Sequence, residues 1–294
     1  MTVEHEGHSW LGTARAVLAL TFPLDAESCL LAQGRRYAEH ANVMSHQAYE
    51  PQVAVPRLLE LLRRLAVKAT FYVPGITAER WPNCVEAVLA DGHEIAHHSY
   101  SHRMPVSMSA DEERRDFERA LEALAKFGVQ PKGHRAAAWG ARWSTPALVA
   151  EYGLLYESNL MDDDRPYLLE TGAGEIVELP PHWIADDFSQ YAYMVDPPIG
   201  HTVDSPLKAT ELWRLELEAM RDFGCLMQLT CHPFLSGRPS RLKALAGFIE
   251  HTLSLGDVSI LTCEQIARRA VGDRGLTRRR IRPVVVDPET YPDL

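Results

Sequence analysis

No run of apolar residues in this 294-residue chain is long enough to cross a bilayer. The N-terminal MTVEHEGHSW is acidic and polar and lacks the basic region of a secretion signal, which predicts a cytoplasmic protein. Positive charge is also in deficit, with 30 Lys and Arg against 40 Asp and Glu and a formal charge of −10. Such a chain has no basic field for a nucleic acid backbone or an anionic membrane, so neither is expected as a partner. Cysteine is scarce: five residues, an odd count without CxxC spacing, argue against a disulfide framework and suit reduced, buried thiols. There is no Gly-x-Ser-x-Gly elbow and no P-loop, which removes support for serine hydrolases and nucleotide-driven enzymes. Internal repeats and low-complexity segments are missing too. The lone GxG at 172–174 reads as a hairpin turn, since no phosphate-binding helix follows it.

What is present is an alternation of short apolar runs and amphipathic helices, in a chain long enough for one large domain across 1–294. A strand is predicted at 16–22, followed by a helix opened by Pro56 with Leu58, Leu59, Leu62 and Leu65 on one face, and a strand at 68–73. A helix near 80–90 leads to a strand within GHEIAHH (92–98). Ser109 with Glu112 forms a capping box for the next helix, and a strand follows near 133–137. Thr145-Pro146 starts another helix, with short strands near 154–157 and 176–180. The last third reads helix 207–223, strand 225–231, helix 239–255, strand 257–261, then a helix capped by Thr262 and Gln265. About seven or eight βα units with apolar strands imply an α/β fold with a parallel sheet and suggest a closed (β/α) barrel, with a doubly wound open sheet as the alternative. The insertion at 26–52 and the Arg-rich tail with RRRIR (278–282), read as solvated or as a subunit contact, fall outside the rhythm.

Functional side chains of a parallel barrel gather where strands end. That rule selects Asp25, His97, His98, His102, Arg135, Asp186, Asp187 and His232. His98 and His102 are four apart, so a helical turn after the strand would place both imidazoles on one side. With Asp25 as third ligand they form a two-His, one-carboxylate set of the kind that holds zinc, iron or a related divalent metal, with zinc the expected ion. His97 alternates to the opposite side and is expected to pack or support. Trp139 and Trp183 are candidates for pocket walls. His93, His134, His182 and His201 are expected to be structural, and His5 and His8 to lie in a mobile segment.

The order TFxxD (21–25), HSxxxH within GHEIAHHSYSH (92–102), a GxR segment (133–135), ELPPxW followed by DD (178–187), and LTCHP (229–233) resembles the NodB-type polysaccharide deacetylase superfamily. Within it the chain is most similar to an intracellular branch of peptidoglycan deacetylase-like proteins, allantoinases and cyclic imide hydrolases. The resemblance runs from about 16 to 270 and implies an α/β fold, a distorted (β/α) barrel of about seven or eight parallel strands. It implies Asp25, His98 and His102 as metal ligands, His232 as the acid toward the leaving nitrogen, Asp186 or Asp187 as the carboxylate that orients it, and Arg135 as the holder of a basic aspartate. Pro23 falls where that aspartate is expected, and GHRAAAW lacks the proline that usually follows the arginine by two residues.

Amide hydrolysis needs a nucleophile, stabilisation of the oxyanion and a proton for the departing nitrogen. A metal covers the first two and His232 the third. Without an acid at 23, Glu27 is the nearest ionisable substitute, and Arg135 is free to clamp a substrate carboxylate or imide oxygen in bidentate fashion. The expected activity is metal-dependent hydrolysis of a non-peptide carbon–nitrogen bond, in an N-acetyl sugar or a small amide, cyclic amide or imide, by a homo-oligomer. The rival is a catalytically silent relative that keeps the fold as a binding or scaffold protein, an option Pro23 leaves open. Metal-free hydrolysis, as in the allantoinase branch, is disfavoured by the intact ligand set.

Overall fold

Buried apolar strands, each followed by a helix or a loop that crosses back over the sheet, curl into one sheet in the computed structural model, which describes residues 9–291. Ten strands are present among these residues: β1 Ala16–Pro23, β2 Thr70–Val73, β3 Glu94–His97, β4 Gly133–His134, β5 Tyr156–Glu157, β6 Tyr167–Thr171, β7 Gly174–Glu178, β8 Leu226–Thr230, β9 Val258–Ile260 and β10 Arg278–Arg279. They run in the order β10-β6-β7-β5-β4-β3-β2-β1-β8, with β9 added along the first residues of β1. Every pairing is parallel except β6 with β7, whose hairpin turns at the GxG segment. The chain running on from β7 bridges Asp186 to Thr230 of β8, so the two ends of the curl approach each other. The fold is the distorted α/β barrel implied by the family resemblance, a curled sheet whose order ends at β10 and β8 without those two pairing.

All eight residues of β1 are buried, as a parallel strand covered on both faces requires. One face packs Leu18, Leu20 and Phe22 against the helices Val55–Arg64, Pro206–Phe223 and Pro239–Leu255; the other packs Val17 and Ala19 with Tyr72, Tyr156 and Leu226. Both capping boxes form: Ser109 and Glu112 at the start of Ala110–Ala125, Thr262 and Gln265 at the start of Cys263–Val271. Gly133 is dictated by crowding, since a Cβ there would meet the Tyr156 ring at 1.8 Å. The five cysteines are free thiols. Among the described residues no helix is long and apolar enough to cross a membrane.

Two expectations are corrected. The Arg-rich tail is not simply solvated: Arg278 and Arg279 form β10 beside β6, and Arg278, Arg279 and Arg280 pair with Glu175, Asp162 with Asp163, and Glu170. Charge hid a strand whose neighbours are acidic. The predicted turn of helix across His98 to His102 is instead an irregular loop, with Ser99 and His102 in the left-handed region (φ 59° and 57°). Asp116 fixes it by accepting hydrogen bonds from the amides of Tyr100 and Ser101. Residues 1–8, with His5 and His8, lie outside the described residues.

At the carboxyl ends of β5 and β7, Glu157 and Glu178 are register partners and both are fully buried. Burial pushes the Glu157 carboxyl up to about 7, only partly offset by hydrogen bonds from Asn159 and with Glu178, and it pushes Glu178 well above its ordinary value. The folded state therefore keeps a proton that the unfolded chain releases near pH ~4.3. A raised carboxylate contributes stability in full below that pH and loses it as pH climbs to about 7. Glu157→Gln, which replaces the protonated carboxyl by a neutral amide, should flatten this fall: the melting temperature of the wild type is expected to drop between pH 5 and pH 8 by several degrees more than that of the variant. Parallel melting curves across that range check it.

Candidate metal centre and active site

The barrel's strand ends deliver the site. Leu24 continues the pairing of β1 by donating its amide to Tyr72 O, and the chain then turns sharply at Ala26 (φ 46°). The hydroxyls of Thr77 and Ser28 donate to the Asp25 carbonyl and fix the residue. Its carboxylate, 2% exposed, faces two imidazoles: Oδ1 is 3.5 Å from His98 Nε2 and 3.3 Å from His102 Nε2, and the two rings are 5.0 Å apart. His98 Nδ1 donates to the Arg135 carbonyl at 2.7 Å, which leaves the Nε2 lone pair turned inward. Burial pushes the His98 imidazole down to about 3, so it stays neutral. Burial alone would raise the Asp25 carboxyl, but His102, His98 and His232 together hold it well below the usual range.

One carboxylate oxygen and two imidazole nitrogens thus converge, with Asp25 Oδ1 buried and without a hydrogen-bond donor. An ionised oxygen so placed is costly unless a cation meets it. The donor set fits a divalent metal.

His232 follows β8 and stands beside this cluster, its Nε2 4.0 Å from Asp25 Oδ2. Asp187 Oδ1 accepts from both the His232 amide (2.9 Å) and Nδ1 (2.8 Å), while Ser236 donates to Asp187 Oδ2. Burial alone would lower the imidazole, but the Asp187 hydrogen bond and the charges of Asp186, Asp187 and Asp25 raise it to about 10. Between the two acids left open by the sequence, Asp187 makes the hydrogen bond to the ring. Asp186 is 3.5 Å away, accepts the Phe188 amide and faces the cavity; burial and Asp187 push its carboxyl up to about 6.

A cavity of about 300 Å³ opens over these groups, lined on one side by Asp25, His98, His102, Asp186 and His232. Trp139, Phe188 and Phe234 supply apolar wall, and Trp183, 62% exposed, forms the rim. Pro23, the last residue of β1, also lines it.

Glu27 does not. Its carboxylate accepts from Trp81 Nε1 at 2.8 Å and pairs with Arg80, because the turn at Ala26 and the short helix Ser28–Leu31 swing it behind the site; as a substitute base it is ruled out. Arg135 is buried and its two terminal nitrogens are fully engaged: Nη1 donates to Thr21 and Thr230, Nη2 to Ser158 and Gln228. A bidentate clamp through those nitrogens is therefore closed off, which corrects that expectation. His97 faces away, bonded to His134 and to the Phe117 carbonyl. His93 and His182 accept the amides of Ala69 and Ile184.

Sequence reasoning missed Glu50. Wholly buried in a π-helical turn, it accepts the Ala26 amide at 2.6 Å and the Phe234 amide at 3.4 Å, and so ties the loop of Asp25 to the loop of His232. No local pattern in the insertion marks it. Asn159 was also missed: it takes hydrogen bonds from the Ala136 amide and gives one to Glu157, linking the buried acid pair to the cavity wall.

Residues 47–155 match the family model described as polysaccharide deacetylase. A provisionally assigned polysaccharide deacetylase from Mycobacterium smegmatis, solved by crystallography, is 44% identical with a TM-score of 0.91, covering 97% of this chain and 100% of its own. The peptidoglycan deacetylase of Helicobacter pylori is 26% identical over 251 residues, 76% of this chain and 86% of that protein. Puue allantoinase, 23% identical, shares the fold with a TM-score of 0.80 over 93% of this chain and 96% of its own.

Proposed function

The chain belongs to the polysaccharide deacetylase family, hydrolases of carbon–nitrogen bonds other than peptide bonds, and we propose that it acts with one divalent cation, zinc, on a small amide, cyclic amide or imide. The observation that carries this reading is the unpartnered Asp25 Oδ1 set before His98 Nε2 and His102 Nε2, with His232 alongside. Asp25, His98 and His102 would hold the cation, which when bound supplies an activated water and polarises the scissile carbonyl. The cavity of about 300 Å³, with its aromatic wall, suits a compact substrate.

The chain's own residues manage the proton. Asp187 fixes the ring through Nδ1–H, so the remaining N–H of the imidazolium, at Nε2, is presented beside the metal ligands. From there it is delivered to the departing nitrogen as the carbon–nitrogen bond breaks, leaving a neutral amine and a neutral imidazole. Ser236 and the His232 amide keep Asp187 oriented, and Glu50 holds the two loops at a fixed separation.

Removing the acid without touching the ligands tests this. His232→Ala and Asp187→Asn should each lower turnover, the former by about 10²–10⁴-fold, while bound metal per chain stays at the wild-type value. The measurements are steady-state rates on a panel of acetamides, ureides and imides, with elemental analysis of the same samples. Metal loss in His232→Ala would make His232 a ligand.

A further inference from the structure

Two side chains that line the cavity each carry a buried donor with no acceptor among the described residues. One is Arg135 Nε–H, whose terminal nitrogens are all engaged with the neutral oxygens of Thr21, Thr230, Ser158 and Gln228. No described carboxylate comes within the 4.0 Å of an ion pair with this guanidinium, although Asp186, also on the wall, feels its charge. The other is Trp139 Nε1–H. The guanidinium carbon lies 5.8 Å from the Trp139 ring centre, so the two donors sit on neighbouring side chains of one wall.

The wall is also strained. Ala138 and Trp139 are successive residues in the left-handed region (φ 49° and 54°), where side-chain-bearing residues are uncommon and cluster at ligand-contacting sites. Pro23 shares the same cavity and contributes no acid that would satisfy the arginine from within. The guanidinium lies over the Tyr72 ring at 4.0 Å, but a buried cation without an ion-paired carboxylate and two buried N–H groups without acceptors are both unfavourable. An anion with two acceptor atoms relieves both.

We propose that Arg135 and Trp139 form a carboxylate subsite, so that the substrate is an amide or imide bearing its own carboxylate. This rests on the cavity being the place of carbon–nitrogen hydrolysis. The carboxylate at Arg135 and Trp139 aims the other end of the molecule toward Asp25, His98, His102 and His232, which fixes which bond meets the acid.

The test is calorimetric binding of succinamate, of the neutral butyramide and of acetate to the full chain, zinc-loaded and metal-free. Succinamate should bind at least about tenfold more tightly than butyramide in both forms. Trp139→Phe, which removes the indole N–H and keeps an aromatic ring, should cut succinamate affinity about tenfold more than it changes butyramide affinity. Pro23→Asp, which offers an internal carboxylate, should erase the preference. Arg135→Gln should do the same where it folds, and Trp139→Phe decides where it does not. Equal binding of the two amides, a preference that survives both Trp139→Phe and Pro23→Asp, or a preference confined to the zinc-loaded form would overturn the subsite. Acetate that accelerates butyramide hydrolysis would show a free anion in the subsite and overturn the substrate-borne carboxylate. Binding is read without turnover, so a confirmed subsite in a protein that hydrolyses none of these amides counts against the function alone, and turnover without the preference counts against the subsite alone.

Discussion

His98→Ala is expected to yield a folded protein that holds no stoichiometric divalent metal and hydrolyses no amide. The imidazole it removes is neutral, buried and aimed at Asp25 Oδ1, and it is also the partner of the Arg135 carbonyl. Loss of an outer-shell partner typically weakens a metal about 10–100-fold; loss of one of three protein ligands should exceed that. Thermal shift gives a second readout independent of catalysis. Zinc at 100 times its dissociation constant stabilises a folded protein by about 2.7 kcal/mol, so the wild type should melt several degrees higher with the metal and His98→Ala should not respond. Full metal content and an unchanged zinc-dependent shift in the variant would remove His98 from the ligand set. A variant that no longer folds would be replaced by His102→Ala, whose ring is less deeply buried and makes no comparable backbone bond.

These residues were legible because each comes directly after a strand end and because a parallel barrel collects strand ends at one mouth. Asp25 follows β1, His98 follows β3, Arg135 follows β4 and His232 follows β8. The means by which they meet was not legible. The spacing of His98 and His102 suggested a helical turn, yet the chain reaches the same convergence through left-handed Ser99 and His102, flanking the amides of Tyr100 and Ser101 that Asp116, fourteen positions beyond His102, holds. Glu27 was a natural candidate for a base because it is two residues from Asp25, but a single positive φ at Ala26 reverses the direction of the chain between them. Local order cannot report such a reversal. The acceptors that engage Arg135 come from β1, β8 and the residue after β5, brought together only by closure of the curl. Glu50 is invisible for a related reason, since its partners at 26 and 234 become neighbours only in the folded barrel. By contrast the capping boxes at Ser109 and Thr262 are local hydrogen-bond arrangements and were read directly.

Pro23→Asp should move activity toward N-acetyl sugars. Proline at this position ends β1 opposite Tyr72, lines the cavity and carries neither a charge nor a proton acceptor. In the wild type no side chain at that point helps the attacking water lose its proton, so only activated or cyclic amides, or substrates that bring their own carboxylate, are expected to react at a measurable rate. An aspartate there would place an acid where the family resemblance locates the base, with the free Nε–H of Arg135 as its partner. A positioned base contributes about 10²–10⁴-fold, and a gain in chitooligosaccharide deacetylation approaching that range is the expected outcome. The backbone should accept the change, because the residue closes a strand, proline's lack of an N–H shows that no ladder hydrogen bond is needed from it, and the next amide, Leu24, already carries the pairing to Tyr72. The same substitution should slow the hydrolysis of carboxylate-bearing amides, since the new side chain competes for Arg135. Side-by-side rates of wild type and Pro23→Asp on chitooligosaccharide, a cyclic imide and succinamate therefore separate three outcomes. Opposite changes on the sugar and on succinamate are the expected result. Efficient sugar deacetylation by the wild type would show that this protein never needed a base at 23. A metal-loaded Pro23→Asp with unaltered rates on all three would show that the wall shared by Pro23 and Arg135 is not where the attacking water loses its proton.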